Sequence, residues 1–125
     1  MLSQAQIVPY IPVSNLDRAR KFYEEKLGFR PASPPGYGVM YDSGRGSRFF
    51  MYPSAGAGTS KASTAFWDVP DVESEVAALR SKGVVFEEYD TPEFKTVNGI
   101  ATGDGAKTAW FKDTEGNILA VSQRI

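Results

Sequence analysis

Hydrophobic and polar residues alternate along the chain with a period that changes several times. Residues 6–13 (QIVPYIPV) are apolar and β-rich, which predicts a strand. Because its two prolines lack the N–H that a central strand donates, we expect this strand at a sheet edge. Residues 16–27 then repeat apolar side chains at helical spacing, and Gly28 ends the predicted helix. Strands at residues 37–41 and 48–52 follow, on either side of a glycine-containing turn.

Residues 54–61 interrupt this pattern with one charged residue and no large apolar one, which is typical of a linker. The order then begins again with a strand at residues 63–69 and a helix that Asp71 caps and Gly83 ends. Further strands are predicted at residues 84–89, 107–112 and 117–123. Residues 90–105, rich in Thr, Gly and Asp, are expected to be a lid or a mobile loop, in which Phe94, Val97 and Ile100 could cover a binding site.

The two halves of the chain share one order of predicted elements: a strand, a helix and three strands. Residues 13–17, before the first helix, also align with residues 69–73, before the second. One such module has too little core to be stable alone, whereas two can bury a shared face. We therefore predict a single domain over residues 1–125, made of module one (1–53), the linker (54–61) and module two (62–125).

Composition excludes several kinds of chemistry. The 125 residues include no cysteine and no histidine, which removes disulfides, thiolate nucleophiles, Ser-His-Asp catalysis and the commonest transition-metal ligands. A formal net charge of −1 lacks the basic excess that holds a polyphosphate, so we expect no nucleic-acid partner. The N-terminal residues have no basic segment with a long apolar run behind it, and no stretch approaches a membrane span. We expect a cytoplasmic protein with no signal peptide and no membrane partner.

Three segments together resemble one known group of proteins: NLDRARKFYEEKLGF at 15–29, FWDVPDVESEVAALRSKGV at 66–84 and WFKDTEGNILAVSQ at 110–123. They are similar to the vicinal oxygen chelate superfamily, which holds glyoxalases, bleomycin-resistance proteins, fosfomycin-resistance enzymes and extradiol dioxygenases. The resemblance implies an α+β fold in which two tandem βαβββ modules form a curled mixed β-sheet cup with the helices outside. It also implies a small-molecule ligand in the cup and a homodimer.

The same resemblance locates the metal ligands of the family, and this chain lacks strong ligands there. The corresponding positions are Val8, Thr64 and Ala120, with a fourth in the strand at 48–52, which contains no acid. Thr64 alone has a side-chain oxygen, and a neutral hydroxyl is a weak ligand. We therefore expect no metal and no other cofactor, and classical glyoxalase I or dioxygenase activity is disfavoured.

Strand alternation extends these positions into a candidate ligand-binding face, because every second side chain of a strand points the same way. The third strand contributes Phe50 with Tyr52, or alternatively Phe49 with Met51, and Trp110 is open to either face. The structural alternative for each residue is that it fills the sheet core. Trp67 has the opposite parity and is expected in the core or at a subunit contact. The residues predicted to bind the ligand are Val8, Tyr10, Phe50, Tyr52, Thr64, Phe66, Trp110 and Ala120.

A cluster of acids offers the alternative chemistry. Glu87, Glu88, Asp90 and Glu93 follow one another closely, and paired acids can share a proton or bind a hard cation. The sequence favours a metal-independent binding protein that sequesters or carries a hydrophobic or aromatic compound. The alternatives are a glyoxalase-like lyase or dioxygenase-type enzyme that uses a hard metal or carboxylates, and an accessory module without its own ligand.

Overall fold

Two helices and two mixed β-sheets make up the computed structural model, which describes residues 1–125. This arrangement confirms the α+β class predicted from the sequence. The chain divides into two compact units, Met1–Ala57 and Gly58–Ile125, and the division falls within residues 54–61. No helix is both long enough and apolar enough to cross a membrane.

The first unit is built on a three-stranded sheet with one helix. Its strand order is β1-β3-β2, with β1 parallel to β3 and β2 antiparallel to it. β1 lies at the sheet edge, as its prolines predict, and its paired part starts later than residue 6. The elements are β1 (Tyr10–Val13), α1 (Leu16–Lys21), β2 (Val39–Asp42) and β3 (Arg48–Pro53).

Local hydrogen bonds explain where the first helix begins and how it ends. Asn15 caps α1, since its side-chain oxygen accepts a hydrogen bond from the backbone N–H of Arg18 at 3.0 Å. The predicted helix runs unbroken to residue 27, but in the structure α1 passes into a π-helical turn, Phe22–Lys26. There the N–H of Leu27 donates to the carbonyl of Phe22, five residues earlier, at 3.1 Å.

One face of the first sheet forms the core with α1. A polar cluster extends this core: the Tyr41 hydroxyl donates to the Glu24 carboxylate at 2.7 Å, and Arg20 donates to the same oxygen at 2.9 Å. Burial, followed by the bond to Glu24, raises the pKa of Tyr41 far above its ordinary value. The buried side chains of this core are Ile11, Val13, Ala19, Tyr23, Val39, Tyr41, Phe49 and Met51.

The second unit repeats this plan with a larger sheet. Its strand order is β4-β8-β7-β6-β5, with β4 parallel to β8 and the other pairs antiparallel. The helix α2 is capped by Asp71 and is tied to β8 by the N–H of Val72, which donates to the Gln123 side chain at 3.0 Å. The elements are β4 (Ser63–Asp68), α2 (Val72–Ser81), β5 (Thr96–Val97), β6 (Ile100–Gly103), β7 (Ala106–Lys112) and β8 (Ile118–Arg124).

The strand predicted at residues 84–89 is reduced to a single bridge to the sheet. Residues 84–89 make one bridge to β7, between Phe86 and Phe111, because β6 already occupies that edge of β7 up to residue 109. In the first unit, a bridge between Pro31 and Tyr41 stands where the repeat predicts a third strand. Three prolines within residues 31–35 account for this difference, since none of them has an N–H to give to a ladder.

The loop predicted at residues 90–105 is only partly irregular, because two tight turns shape β5 and β6 within it, whereas residues 90–95 form a single bridge, between Asp90 and Lys95. Asn98 and Gly99 have positive φ angles of 53° and 83° and join β5 to β6. Asp104 and Gly105, with φ angles of 51° and 75°, join β6 to β7 in the same way. Asn-Gly and Asp-Gly favour two-residue hairpin turns, since both central residues must then adopt positive φ.

Replacing Tyr41 with Phe tests the polar cluster of the first unit. The change removes the buried hydroxyl that donates to Glu24, so we expect the free energy of unfolding to fall by about 1–2 kcal/mol. Because the pKa of Tyr41 is higher in the folded than in the unfolded chain, the protonated hydroxyl stabilises the native protein. This stabilisation is complete below the usual tyrosine pKa of about 10 and is lost as the pH rises above it. In urea denaturation, the advantage of the wild type over Tyr41→Phe should therefore shrink above pH 10.

The matched control is Tyr37→Phe, because the Tyr37 side chain is 71% exposed. We expect this variant to change the free energy of unfolding by less than about 0.5 kcal/mol. Equal effects of the two substitutions, or a Tyr41→Phe effect that is independent of pH, would contradict this assignment.

Candidate functional site

The face of the first sheet that points away from the core carries an aromatic cluster. Tyr10 lies opposite Phe50 in the parallel ladder, with ring centroids 5.9 Å apart in an edge-to-face arrangement. The ring of Tyr52 is 4.9 Å from that of Tyr10. Tyr10 is 66% exposed and the other two are half-buried. Phe50 and Tyr52 are thus the residues of β3 on this face, whereas Phe49 and Met51 are buried in the core.

Val8 and Thr64, which the resemblance paired as equivalent positions, lie outside the regular ladders. Val8 is half-buried and precedes β1. Thr64 is exposed at an irregularity between Ser63 and Ala65, where the register of β4 against β8 shifts. A bulge of this kind interrupts strand alternation, so parity does not carry from Thr64 to the next residues.

In the second unit, three of the predicted residues lie side by side across neighbouring strands. Phe66 is opposite Ala120, and Ala120 is opposite Trp110. Phe66 is 64% exposed and Trp110 is half-buried, whereas Ala120 between them is only 2% exposed. Directly opposed side chains project from the same face of a sheet. Ala120 therefore forms the floor of a row whose two ends are aromatic rings.

Trp110 also borders a cavity of about 390 Å³. The Phe94 ring stacks on Trp110 with centroids 4.9 Å apart, and Tyr89 meets the indole edge to face at 5.6 Å. Phe94 lines the cavity with Trp110, whereas Tyr89 supports the indole. Tyr89 was not among the predicted site residues; its signal in the sequence was an aromatic residue at the end of a β-rich segment.

A row of polar side chains lies beside the aromatic row on the same sheet face. Asp68 is opposite Ser122, and Ser122 is opposite Thr108. The hydroxyl oxygens of Thr108 and Ser122 are 2.9 Å apart and form a hydrogen bond. Thr108 also lines the cavity beside Trp110. This face thus combines ring surfaces with hydroxyl and carboxylate groups, which is the usual make-up of a small-molecule site.

The opposite face of the second sheet faces α2. Trp67 lies opposite Val121, which is buried, and Trp67 itself is half-buried. This agrees with its predicted parity. The aromatic row and Trp67 therefore occupy different sides of β4.

The residues at the family's metal positions do not fit a metal ion. Val8 and Ala120 have hydrocarbon side chains, and Thr64 has a neutral hydroxyl. The structure contains no group of three or more His, Cys, Asp or Glu side chains that could hold an ion. The side chains at these positions therefore give no basis for metal-dependent chemistry.

Two acids of the cluster Glu87, Glu88, Asp90 and Glu93 have structural partners, and Glu88 binds the β5–β6 hairpin. The Glu88 carboxylate accepts hydrogen bonds from the Thr96 hydroxyl at 2.6 Å and the Gly99 N–H at 2.9 Å, and these bonds lower its pKa. Glu87 lies 3.5 Å from the Lys112 ammonium group. These contacts favour the structural interpretation of the cluster over a catalytic one.

Comparison with known proteins shows which family has a matching sequence pattern. A family model described as Glyoxalase/Bleomycin resistance protein/Dioxygenase superfamily matches residues 3–121. Among solved structures, TnmS3, an antibiotic binding protein from Streptomyces sp. CB03234, is similar with a TM-score of 0.70 and 21% sequence identity, covering 100% of this chain and 99% of that one. No curated protein matches the chain.

Two further structures show the range of proteins with this fold. A glyoxalase/bleomycin resistance protein/dioxygenase from Alicyclobacillus acidocaldarius has a TM-score of 0.69 and 18% identity, covering 98% of this chain and 92% of that chain. A lactoylglutathione lyase from Agrobacterium tumefaciens has a TM-score of 0.66 and 15% identity, covering 95% and 93%. At these identities the likeness establishes the fold and nothing about the ligand.

Two substitutions in the aromatic row should differ sharply in their effect on stability. Phe66→Ala removes a ring that is mostly in water, so we expect the free energy of unfolding to change by about 0.5 kcal/mol or less. Ala120→Trp inserts an indole where the side chain is 2% exposed, so we expect a loss of about 1–3 kcal/mol or more. Thermal or urea unfolding measures both. A larger loss for Phe66→Ala than for Ala120→Trp would contradict the exposed end and closed floor of this row.

Proposed function

This chain belongs to the Glyoxalase/Bleomycin resistance protein/Dioxygenase superfamily, and we propose that it binds a planar aromatic small molecule without a metal. The ligand lies on the face of the second sheet that carries Phe66, Ala120 and Trp110. The protein sequesters or carries this compound rather than transforming it. The observation that carries the proposal is the exposed Phe66 ring beside a small floor residue and a cavity edged by Trp110.

Burial of ring surface supplies the affinity. Phe66 is 64% exposed and lies in one row with the half-buried Trp110, so a ligand on this row would cover apolar surface that now meets water. Removing apolar surface from water contributes roughly 25 cal/mol per Å², from which the costs of association are subtracted. Offset or edge-to-face ring contacts add about 0.5–1.5 kcal/mol each. Micromolar affinity is the expected range for a ligand of two or three fused rings.

The polar row gives the ligand an orientation. A ring system lying on Phe66 has Asp68 two residues further along β4, with Ser122 opposite Asp68. A hydroxyl or amine at one edge of the ligand would donate to these groups, while its apolar edge remains near Trp110. We therefore propose a planar aromatic compound with a hydrogen-bond donor on one side.

The aromatic cluster of the first unit supports the same kind of ligand. Tyr10, Phe50 and Tyr52 present ring surface on a helix-free sheet face, as Phe66 and Trp110 do in the second unit. We propose that each face, by itself, can bind a ligand of this kind. No comparable observation favours an enzyme that uses the acids at 87–93, because Glu88 and Glu87 already have structural partners.

We further propose that the protein is a homodimer. β4 has a partner on one side only, and the two outer strands of the first sheet likewise have one free edge each. Free strand edges and exposed apolar side chains are features that proteins commonly cover by association. Light scattering at micromolar concentration is expected to give twice the 13.7 kDa chain mass, and a monomer alone would refute this part of the proposal.

Fluorescence of a neutral probe tests the binding face. We expect N-phenyl-1-naphthylamine to bind and to change the emission of Trp110, recorded in a Trp67→Phe background because the chain has only two tryptophans. Phe66→Ala should weaken binding about three- to tenfold, the equivalent of about 0.5–1.5 kcal/mol of ring contact. EDTA should leave the affinity unchanged, since no metal takes part.

The control for this experiment is Tyr37→Ala, which removes an aromatic ring that is 71% exposed and lies outside both aromatic faces. It should leave the probe affinity unchanged. The proposal fails if Phe66→Ala and Tyr37→Ala act equally, or if removal of metal abolishes binding.

A further inference from the structure

A larger cavity, of about 600 Å³, lies between α2 and the β5–β6 hairpin. The hairpin residues Val97 and Ile100 line it together with Thr102 of β6. Ile100 is opposite Ala109 in the sheet, and Ala109 is next in sequence to Trp110 and so points to the other face. This cleft therefore lies on the other side of the sheet from the aromatic row, and Thr102 borders both cavities.

One part of the cleft is apolar. Val76 and Ala77 of α2 face Val97 and Ile100 across it. Val76 is almost fully buried, whereas the Val97 side chain is 67% exposed. An exposed β-branched side chain at the edge of a cavity gains by being covered. The cleft can thus accommodate a hydrocarbon segment along the helix.

The other part of the cleft is positively charged, although the whole chain has a net charge of −1. Arg80, Lys95 and Lys107 line it, against a single acid, Glu73. Glu73 is bonded to Lys107 at 2.8 Å, so the charge of that pair is neutralised. Arg80 lies close enough to the Glu88 carboxylate to contribute to the lowered pKa of that group, so its charge is partly offset. Lys95 takes part in none of the ion pairs of the structure.

Arg80 is held in position before any ligand arrives. One N–H donates to the carbonyl of Asn98 at 2.9 Å, and the guanidinium lies over the Phe86 ring, 5.5 Å from its centroid. Gly99 permits this approach, because a Cβ atom there would stand 2.8 Å from the guanidinium. A guanidinium has five N–H donors, so donors remain for an anion. A fixed arginine loses little side-chain entropy on binding.

We propose that this cleft is a second binding site, for a small amphipathic anion that has a carboxylate or phosphate head and an apolar tail. The head lies between Arg80 and Lys95, and the tail lies along Val76 and Val97. A cavity of this size suits a molecule of small-metabolite dimensions. The cationic part of the cleft would bind the head of the ligand, and the apolar part would bind its tail.

Titration of the isotope-labelled full chain with octanoate, followed by amide NMR, tests the site. We expect saturable shifts at Asn98, Gly99 and Ile100 in the millimolar range. The same concentrations of 1-octanol, which lacks the charge, and of inorganic phosphate, which lacks the tail, should give at least fivefold weaker binding. Lys95→Gln should weaken octanoate binding about three- to fivefold, as expected for one exposed charge pair.

The matched control is Lys61→Gln, because Lys61 is an exposed lysine of the same unit that does not line the cleft. It should leave octanoate binding unchanged. Lys95 is exposed at the start of the hairpin, so its replacement is expected to preserve the fold, and the amide spectrum reports this directly. Three results would overturn the proposal: equal effects of the two lysine variants, equal binding of 1-octanol or phosphate, and shifts confined to the strands that carry Phe66 and Trp110.

Discussion

Parallel pairing of the strand before each helix with a strand after it is the constraint on which the rest of this structure depends. β1 pairs in parallel with β3 and β4 with β8, so the chain must cross over the sheet between them, and a helix makes each crossing. The helix covers one face of its sheet and supplies the buried core there. Because each unit has a single helix, the other face of each sheet has no helix of its own unit to cover it.

The uncovered faces are where large apolar side chains meet water. Tyr10 in the first unit and Phe66 in the second are each more than half exposed, although both belong to ordered ladders. In the second unit the sheet also separates two kinds of surface. Ring surface lies on the uncovered face, and the cationic cleft lined by Arg80 lies on the helix side. The two proposed ligands therefore differ in charge and meet different sides of one sheet.

Much of the fold follows from sequence pattern, because hydrophobic periodicity and the residues that begin and end helices are local features of the chain. The caps Asn15 and Asp71 and the order of strand and helix in both halves are read from short segments. The β5–β6 hairpin does not follow from composition, because a long Thr- and Gly-rich stretch favours a loop, although the Asn98-Gly99 turn is a strong local signal for a hairpin. Strand pairing depends on residues that are distant in sequence. Residues 84–89 have the composition of a strand, but β6 already pairs with the edge of β7 that they would need.

The candidate site was also predictable only in part, namely where its residues lie on regular strands. Alternation gave the shared face of Phe66 and Ala120, because two regular strands carry them. It did not give the contribution of Tyr89, which reaches Trp110 from outside the sheet, or the depth of Ala120, which depends on two neighbouring rings. The cleft beside Arg80 had no sequence signal, since residues of α2, the hairpin and β7 form it together.

The most direct test of the central claim, that the helix-free face of the second sheet binds the ligand, is an intermolecular nuclear Overhauser measurement on the full chain with a neutral planar aromatic compound. The account predicts contacts from the ligand ring protons to the rings of Phe66 and Trp110. Contacts confined to Val76, Ala77 and the rest of the helix side would contradict it.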